Sequence, residues 1–146
     1  MRACQTMINA HPQPPVIDGD VLCEAVERLL ECGQVCAVCA DACLAEADAL
    51  ALTPVIRAAH DCADLCQVAA RLAARQQPPE VVLLARILEL AALACDLCGD
   101  LCEQHPGHAH TRACTEVCRA CEDACQAALH RMPGAATRPT IPSMAH

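Results

Sequence analysis

The sequence predicts an all-α protein, an antiparallel up-down-up-down four-helix bundle, and three observations predict it. Proline-containing breaks divide the chain into four long stretches. Alanine and leucine, both strong helix formers, dominate those stretches. The breaks are only two to four residues long, and such short loops force consecutive helices to be antiparallel neighbours.

Residues 1–17 read as an irregular N-terminal arm, because Pro12, Pro14 and Pro15 block a helix. Asp18-Gly19-Asp20 supplies a cap for a first helix over about 18–52. Thr53 then serves as N-cap with Pro54 at the first helical position, opening a second helix over 53–76. Pro78-Pro79-Glu80 separates it from a third helix over 79–104. His105-Pro106-Gly107 is the next break, and the fourth helix spans 108–132. Pro133-Gly134 stops it, and residues 133–146, with Pro139 and Pro142, form a flexible tail. The bundle is thus one unit over 18–132.

Composition excludes several functions. The 146 residues include 15 Cys but no Phe, Tyr, Trp or Lys, and 18 acidic against 10 basic residues give a net charge of −8. A nucleic-acid binder would be basic and would offer aromatic stacking platforms, so none is expected as a partner. The most apolar window, Val81 to Cys98, contains Arg86, Glu89 and Asp96 and makes a poor membrane span. The opening MRACQTMINAHPQPP lacks an export signal, which predicts a cytoplasmic protein. Structural disulfides are rare in that compartment, and an odd cysteine count cannot pair completely.

The cysteines follow helical periodicity. Cys32, Cys36, Cys39 and Cys43 are spaced 4-3-4 and fall within about 60° of arc on the first helix. Cys114, Cys118, Cys121 and Cys125 repeat the pattern on the fourth, which suggests internal duplication. Cys95, Cys98 and Cys102 extend a stripe of Leu84, Leu88 and Ala91, and Cys62 and Cys66 share one with Val55, Ala59, Ala69 and Ala73. Thirteen thiols therefore point at the axis, with Cys43 expected level with Cys62. Val21, Ala25, Leu29, Leu84, Leu88, Ala128 and Met132 fill the opposite half with hydrocarbon. Cys23 lies about 180° from the first-helix stripe, and Cys4 is in the arm, so position assigns neither to the core.

Side chains at i and i+4 have Cβ atoms about 5–6 Å apart, too far for a disulfide but suited to two sulfurs about 2.3 Å from one metal. All-thiolate ligation selects Cu(I), Zn(II) or iron–sulfur clusters. The C-x2-C pairs Cys36/Cys39, Cys95/Cys98 and Cys118/Cys121 lie in mid-helix and match neither ferredoxin spacing. Four thiolates around Zn(II) leave −2, and stacking such sites in an apolar tube without Lys or Arg is costly. A monovalent ion bridged by thiolates leaves a near-neutral interior, so Cu(I) fits best, at about one ion per thiol.

A Cys-rich four-helix bundle with CxxxC ladders facing its axis resembles the bacterial copper storage proteins of cytosolic type, over about residues 18–132. The resemblance implies non-enzymatic storage of many Cu(I) ions inside the bundle, uptake at one end, and a homotetramer. The alternatives are a zinc or other soft-metal thiolate buffer, an iron–sulfur protein, and a thiol oxidoreductase. The last would need an exposed thiol near a helix N-terminus.

Three histidines, His105, His108 and His110, flank the thiol end of the tube and could pass copper inward. By phase His110 lies about 40° from the Cys114 stripe and is the best placed. His60, His11, His130 and His146 read as surface residues. A second apolar stripe on the third helix, Leu83, Ile87, Leu90 and Ala94, would be exposed on a lone bundle, which points to self-association.

Overall fold

The computed structural model describes residues 2–77 and 80–134, and its secondary structure there is entirely helical. The elements are α1 (Arg2–Ala10), α2 (Gly19–Leu44), α3 (Thr53–Ala73), α4 (Val81–Glu103) and α5 (Ala109–Arg131). The break expected at Pro78-Pro79, and the tail from residue 135 onward, lie outside the described residues.

The N-terminal arm is not irregular as expected: α1 occupies Arg2–Ala10. Pro12 is the first proline, so nothing upstream of it breaks a helix. Cys4 and Ile8, four apart, share one face of α1 and are the residues it packs inward. Among the described helices α1 packs on α2 alone. Asp18 caps α2 as expected, its side chain accepting from the Asp20 and Val21 amides at 3.0 and 3.1 Å.

α2 stops at Leu44 instead of 52, and a run of turns follows, with i→i−3 bonds such as Ala45 N to Ala42 O and Leu52 N to Ala49 O. Glu46 and Asp48 are unfavourable at the negative end of a helix dipole. Their carboxylates bond the imidazoles of His110 and His108 instead, across to α5 and its approach. Leu52 takes the N-cap position of α3. Thr53 is already helical and donates its hydroxyl to Leu50 O at 2.8 Å.

The four long helices pack in a ring: α2 against α3 and α5, and α4 against α3 and α5. Buried Gly33 permits a close approach of α2 to α3. A Cβ there would stand 3.0 Å from Gln67 Cγ and 3.4 Å from the Ala63 carbonyl oxygen. α4 and α5 are tied from outside by Arg119, which bonds Asp96 at 3.2 Å and also Asp100, with Glu103 and Glu122 at 3.5 and 3.7 Å. Gly99 leaves room for it, since a Cβ would meet the guanidinium at 3.0 Å.

Inside the ring the core has two halves. One contains Ala25, Leu29, Leu84, Leu88, Ala91 and Ala128, all buried. Each large side chain among them contributes roughly 1.5–3 kcal/mol by leaving water. The other half is sulfur.

Candidate metal centre

All thirteen cysteines of the four stripes are buried, and every one is reduced. Each helix delivers its share through the 3.6-residue period. α2 brings Cys32, Cys36, Cys39 and Cys43, α3 brings Cys62 and Cys66, α4 brings Cys95, Cys98 and Cys102, and α5 brings Cys114, Cys118, Cys121 and Cys125.

Cys32 is the junction. Its Sγ lies 3.8 Å from those of Cys36, Cys62 and Cys95 and 3.9 Å from that of Cys118, so sulfurs of all four helices meet there. Towards the hydrocarbon half, Cys95 is 3.7 Å from both Cys62 and Cys66. Towards the other end, Cys36 stands 3.7 Å from Cys114 and 3.6 Å from Cys118, and Cys98 is 3.9 Å from Cys114. The expected level of Cys43 with Cys62 is not found: Cys62 faces Cys32, because the early end of α2 shifts the register by about three turns.

The sulfurs form overlapping groups, each with its donor atoms within 4.8 Å of one another. Cys32, Cys62, Cys66 and Cys95 share Cys32 and Cys62 with the group Cys32, Cys36, Cys62 and Cys118. That group shares Cys36 and Cys118 with Cys36, Cys98, Cys114 and Cys118. Cys39, Cys102 and Cys114 follow, and Cys39, Cys43 and His110 close the series. Cys121 and Cys125, both buried, lie one turn apart on α5 at the other extreme.

At the open end His110 turns Nδ1 towards Cys39 and Cys43, at 3.8 and 3.9 Å, while Nε2 meets Glu46 at 2.9 Å. His108 stacks on His110 with ring centroids 5.3 Å apart, but its nitrogens face Glu46 and Asp48, both at 3.2 Å. The His108 contact holds the Asp48 carboxyl below its usual value. His105 contributes its backbone: its carbonyl, like that of His108, accepts from the buried Thr111 hydroxyl, which fixes the loop. Sequence reasoning missed Glu46 and Asp48. Their signal was present, since both follow Cys43 at the end where the histidines cluster. His60 and His130 are exposed, as expected, and His146 lies outside the described residues.

Hydrogen bonds between thiols, with burial behind them, govern their acidity. The bond to Cys114 pushes Cys36 up, the bond to Cys121 does the same to Cys95, and Cys102 and Cys118 are raised by bonds to Cys114. Cys32 and Cys114 are lowered, chiefly by bonds from Cys118 and Cys102, and the Cys118 bond brings Cys62 down to about 7. Raised groups outnumber lowered ones. A thiol whose folded-state value is raised stabilises the fold fully below the ordinary value near 9, and that contribution is lost as pH climbs above it. The melting temperature of the metal-free, reduced protein is therefore expected to fall steadily above about pH 9, as followed by circular dichroism. A flat profile to pH 11 would contradict the thiol assignments.

An all-helical ring around a column of reduced thiols defines a class: helical, cysteine-lined proteins with the donor set for soft metal ions. The chain belongs to the copper storage protein family, whose model matches residues 19–130. It is similar to the copper storage protein Ccsp of Streptomyces lividans, solved loaded with 10 copper equivalents, with 36% identity, TM-score 0.86 and coverage of 88% of this chain and 99% of that one. A second solved structure from that organism, described as a cytosolic copper storage protein with five coppers, is 41% identical with TM-score 0.72 over 73% of this chain and 90% of that one. A Bacillus subtilis relative, the cysteine-rich protein YhjQ, is 30% identical over 101 residues, 69% of this chain and 89% of its own length.

Proposed function

We propose that the protein stores many Cu(I) ions as thiolates of Cys32, Cys36, Cys39, Cys43, Cys62, Cys66, Cys95, Cys98, Cys102, Cys114, Cys118, Cys121 and Cys125, in the cytosol and without catalysis. One observation carries the reading: the sulfur groups overlap. Zn(II) takes four donors per ion and leaves surplus negative charge in an apolar core, whereas low-coordinate monovalent Cu(I) can use every shared sulfur as a bridge. Bridging also keeps the buried charge near zero. The multiple coppers in the Streptomyces relative support the same metal.

The architecture we propose is the antiparallel up-down-up-down four-helix bundle over residues 18–132, supported by the ring packing of α2 to α5. No helix among the described residues is long and apolar enough to cross a membrane. Copper enters at the Cys43 end, where His110 is the first donor and His108 and His105 flank it. Substituting His110→Ala is expected to slow loading about tenfold or more while leaving capacity within one ion, measured by stopped-flow absorbance. Leu83 and Leu90 remain 54% and 44% exposed on α4, and with Ile87 they supply the contact of a homotetramer. Light scattering should return about four times the 15.4 kDa chain mass.

The deciding experiment is an anaerobic Cu(I) titration of the reduced protein against a competing chelator. A dozen or more tightly held ions per chain is expected. Saturation at three or four ions, or bound zinc that Cu(I) fails to displace, would overturn the reading. Each thiolate formed releases a proton, so apparent affinity should drop about tenfold per pH unit per proton displaced.

A further inference from the structure

Two cysteines stand outside the column. Cys23 is on α2 but belongs to the flank that α1 covers, and it is buried at 3% exposure. Cys4 is half-buried on α1 and packs against the same cluster. The two thiols lie close enough to influence each other directly, and Cys23 Sγ donates to Glu27 Oε1 at 3.5 Å. Cys23 precedes Cys32 by nine residues, about 13 Å along the helix at ~1.5 Å per residue, on the opposite side of it. Its polar neighbours are Cys4 and Glu27, and no column thiol is among them.

We propose that Cys4 and Cys23 form a second, separate Cu(I) site, a two-thiolate clip that pins α1 to α2 and fills from solvent without passing through the column. The clip takes its choice of metal from the storage reading, while its geometry is independent of the column. Binding breaks two S–H bonds and forms two Cu–S bonds; both protons leave to water and no electron is transferred. Two sulfurs from separate helices suffice for low-coordinate Cu(I). A disulfide between them is the competing fate. It requires a two-electron oxidant, which neither the reduced chain nor Cu(I) supplies. Half-buried Cys4 gives the ion its path in.

Among the described helices α1 meets only α2, so a metal bridge there would change chiefly the freedom of residues 2–10. The test uses the reduced full-length chain under anaerobic conditions, beside its Cys4→Ser variant. Copper-saturated wild type is expected to carry one more ion than the variant by native mass spectrometry. Copper should slow amide exchange over residues 2–10 about tenfold or more in wild type and not in the variant. A measurement on wild type alone guards against a misfolded variant: alkylation of Cys4 by iodoacetamide should slow at least about tenfold on saturation. Equal ion counts, equal exchange in both proteins, or a Cys4 that alkylates as fast with copper as without, would each overturn the clip. Failure of the storage reading appears differently, as low total uptake in both proteins. The one-ion difference and the α1 readouts would still report on the clip in that case.

Discussion

Saturation with Cu(I) is expected to raise the melting temperature by tens of degrees, to beyond about 90 °C. A ligand that binds only the folded state stabilises it by RT ln(1 + [L]/Kd), about 4 kcal/mol when the free ligand stands at a thousand times Kd. Unfolded cysteines also bind copper, which reduces this gain per ion. The folded column still holds each sulfur within reach of several others, as at Cys32, where partners from α3, α4 and α5 lie at 3.8 to 3.9 Å. A surplus of only about 1 kcal/mol per ion over a dozen ions is comparable to the usual total stability of a domain. Each kcal/mol moves the midpoint of a chain this size by about 3–6 °C. Scanning calorimetry of the metal-free and loaded forms checks this. A shift below about 10 °C would mean that the ions sit on the surface or in one or two sites.

The second large effect is expected at the junction. Cys32→Ala removes a sulfur that belongs to two overlapping groups, so it should lower the copper count by two or three ions instead of one. The metal-free fold should lose only about 1 kcal/mol, because the cavity left is small. Leu29→Ala is the counterpart in the hydrocarbon half. Leu29 is fully buried, so its truncation should cost about 2–5 kcal/mol of metal-free stability and leave the copper count unchanged. Chelator-competition titration and chemical denaturation of both variants separate the two halves of the core. A loss of one ion from Cys32→Ala would show that the sulfurs act singly.

Much of this was legible before any coordinates. The 4-3-4 spacing of Cys32 to Cys43 and of Cys114 to Cys125 is a direct image of the helical period, and burial of the whole set follows from it. Elements with tertiary causes were harder to read. α1 was hidden because Pro12, Pro14 and Pro15 suggested disorder that begins only after Ala10, and its stability comes from Ile8 seated on α2. The end of α2 at Leu44 was hidden because Ala45 to Leu52 has good helical propensity. Glu46 and Asp48 are spent on His110 and His108, contacts more than fifty residues distant in sequence. That early stop also decided which sulfurs share a level, setting Cys62 against Cys32 where Cys43 was expected.

The hydrocarbon half turns the column into a blind alley. Ala25, Leu29, Leu88 and Ala128 offer an ion no donor of their own by which to move on past Cys66 and Cys125. An ion admitted at Cys43 therefore has to retreat by the way it came, and later arrivals stand in front of earlier ones. Such a vessel keeps a chronology: copper given first as one stable isotope and then as another should be surrendered to a chelator in reverse order, newest first.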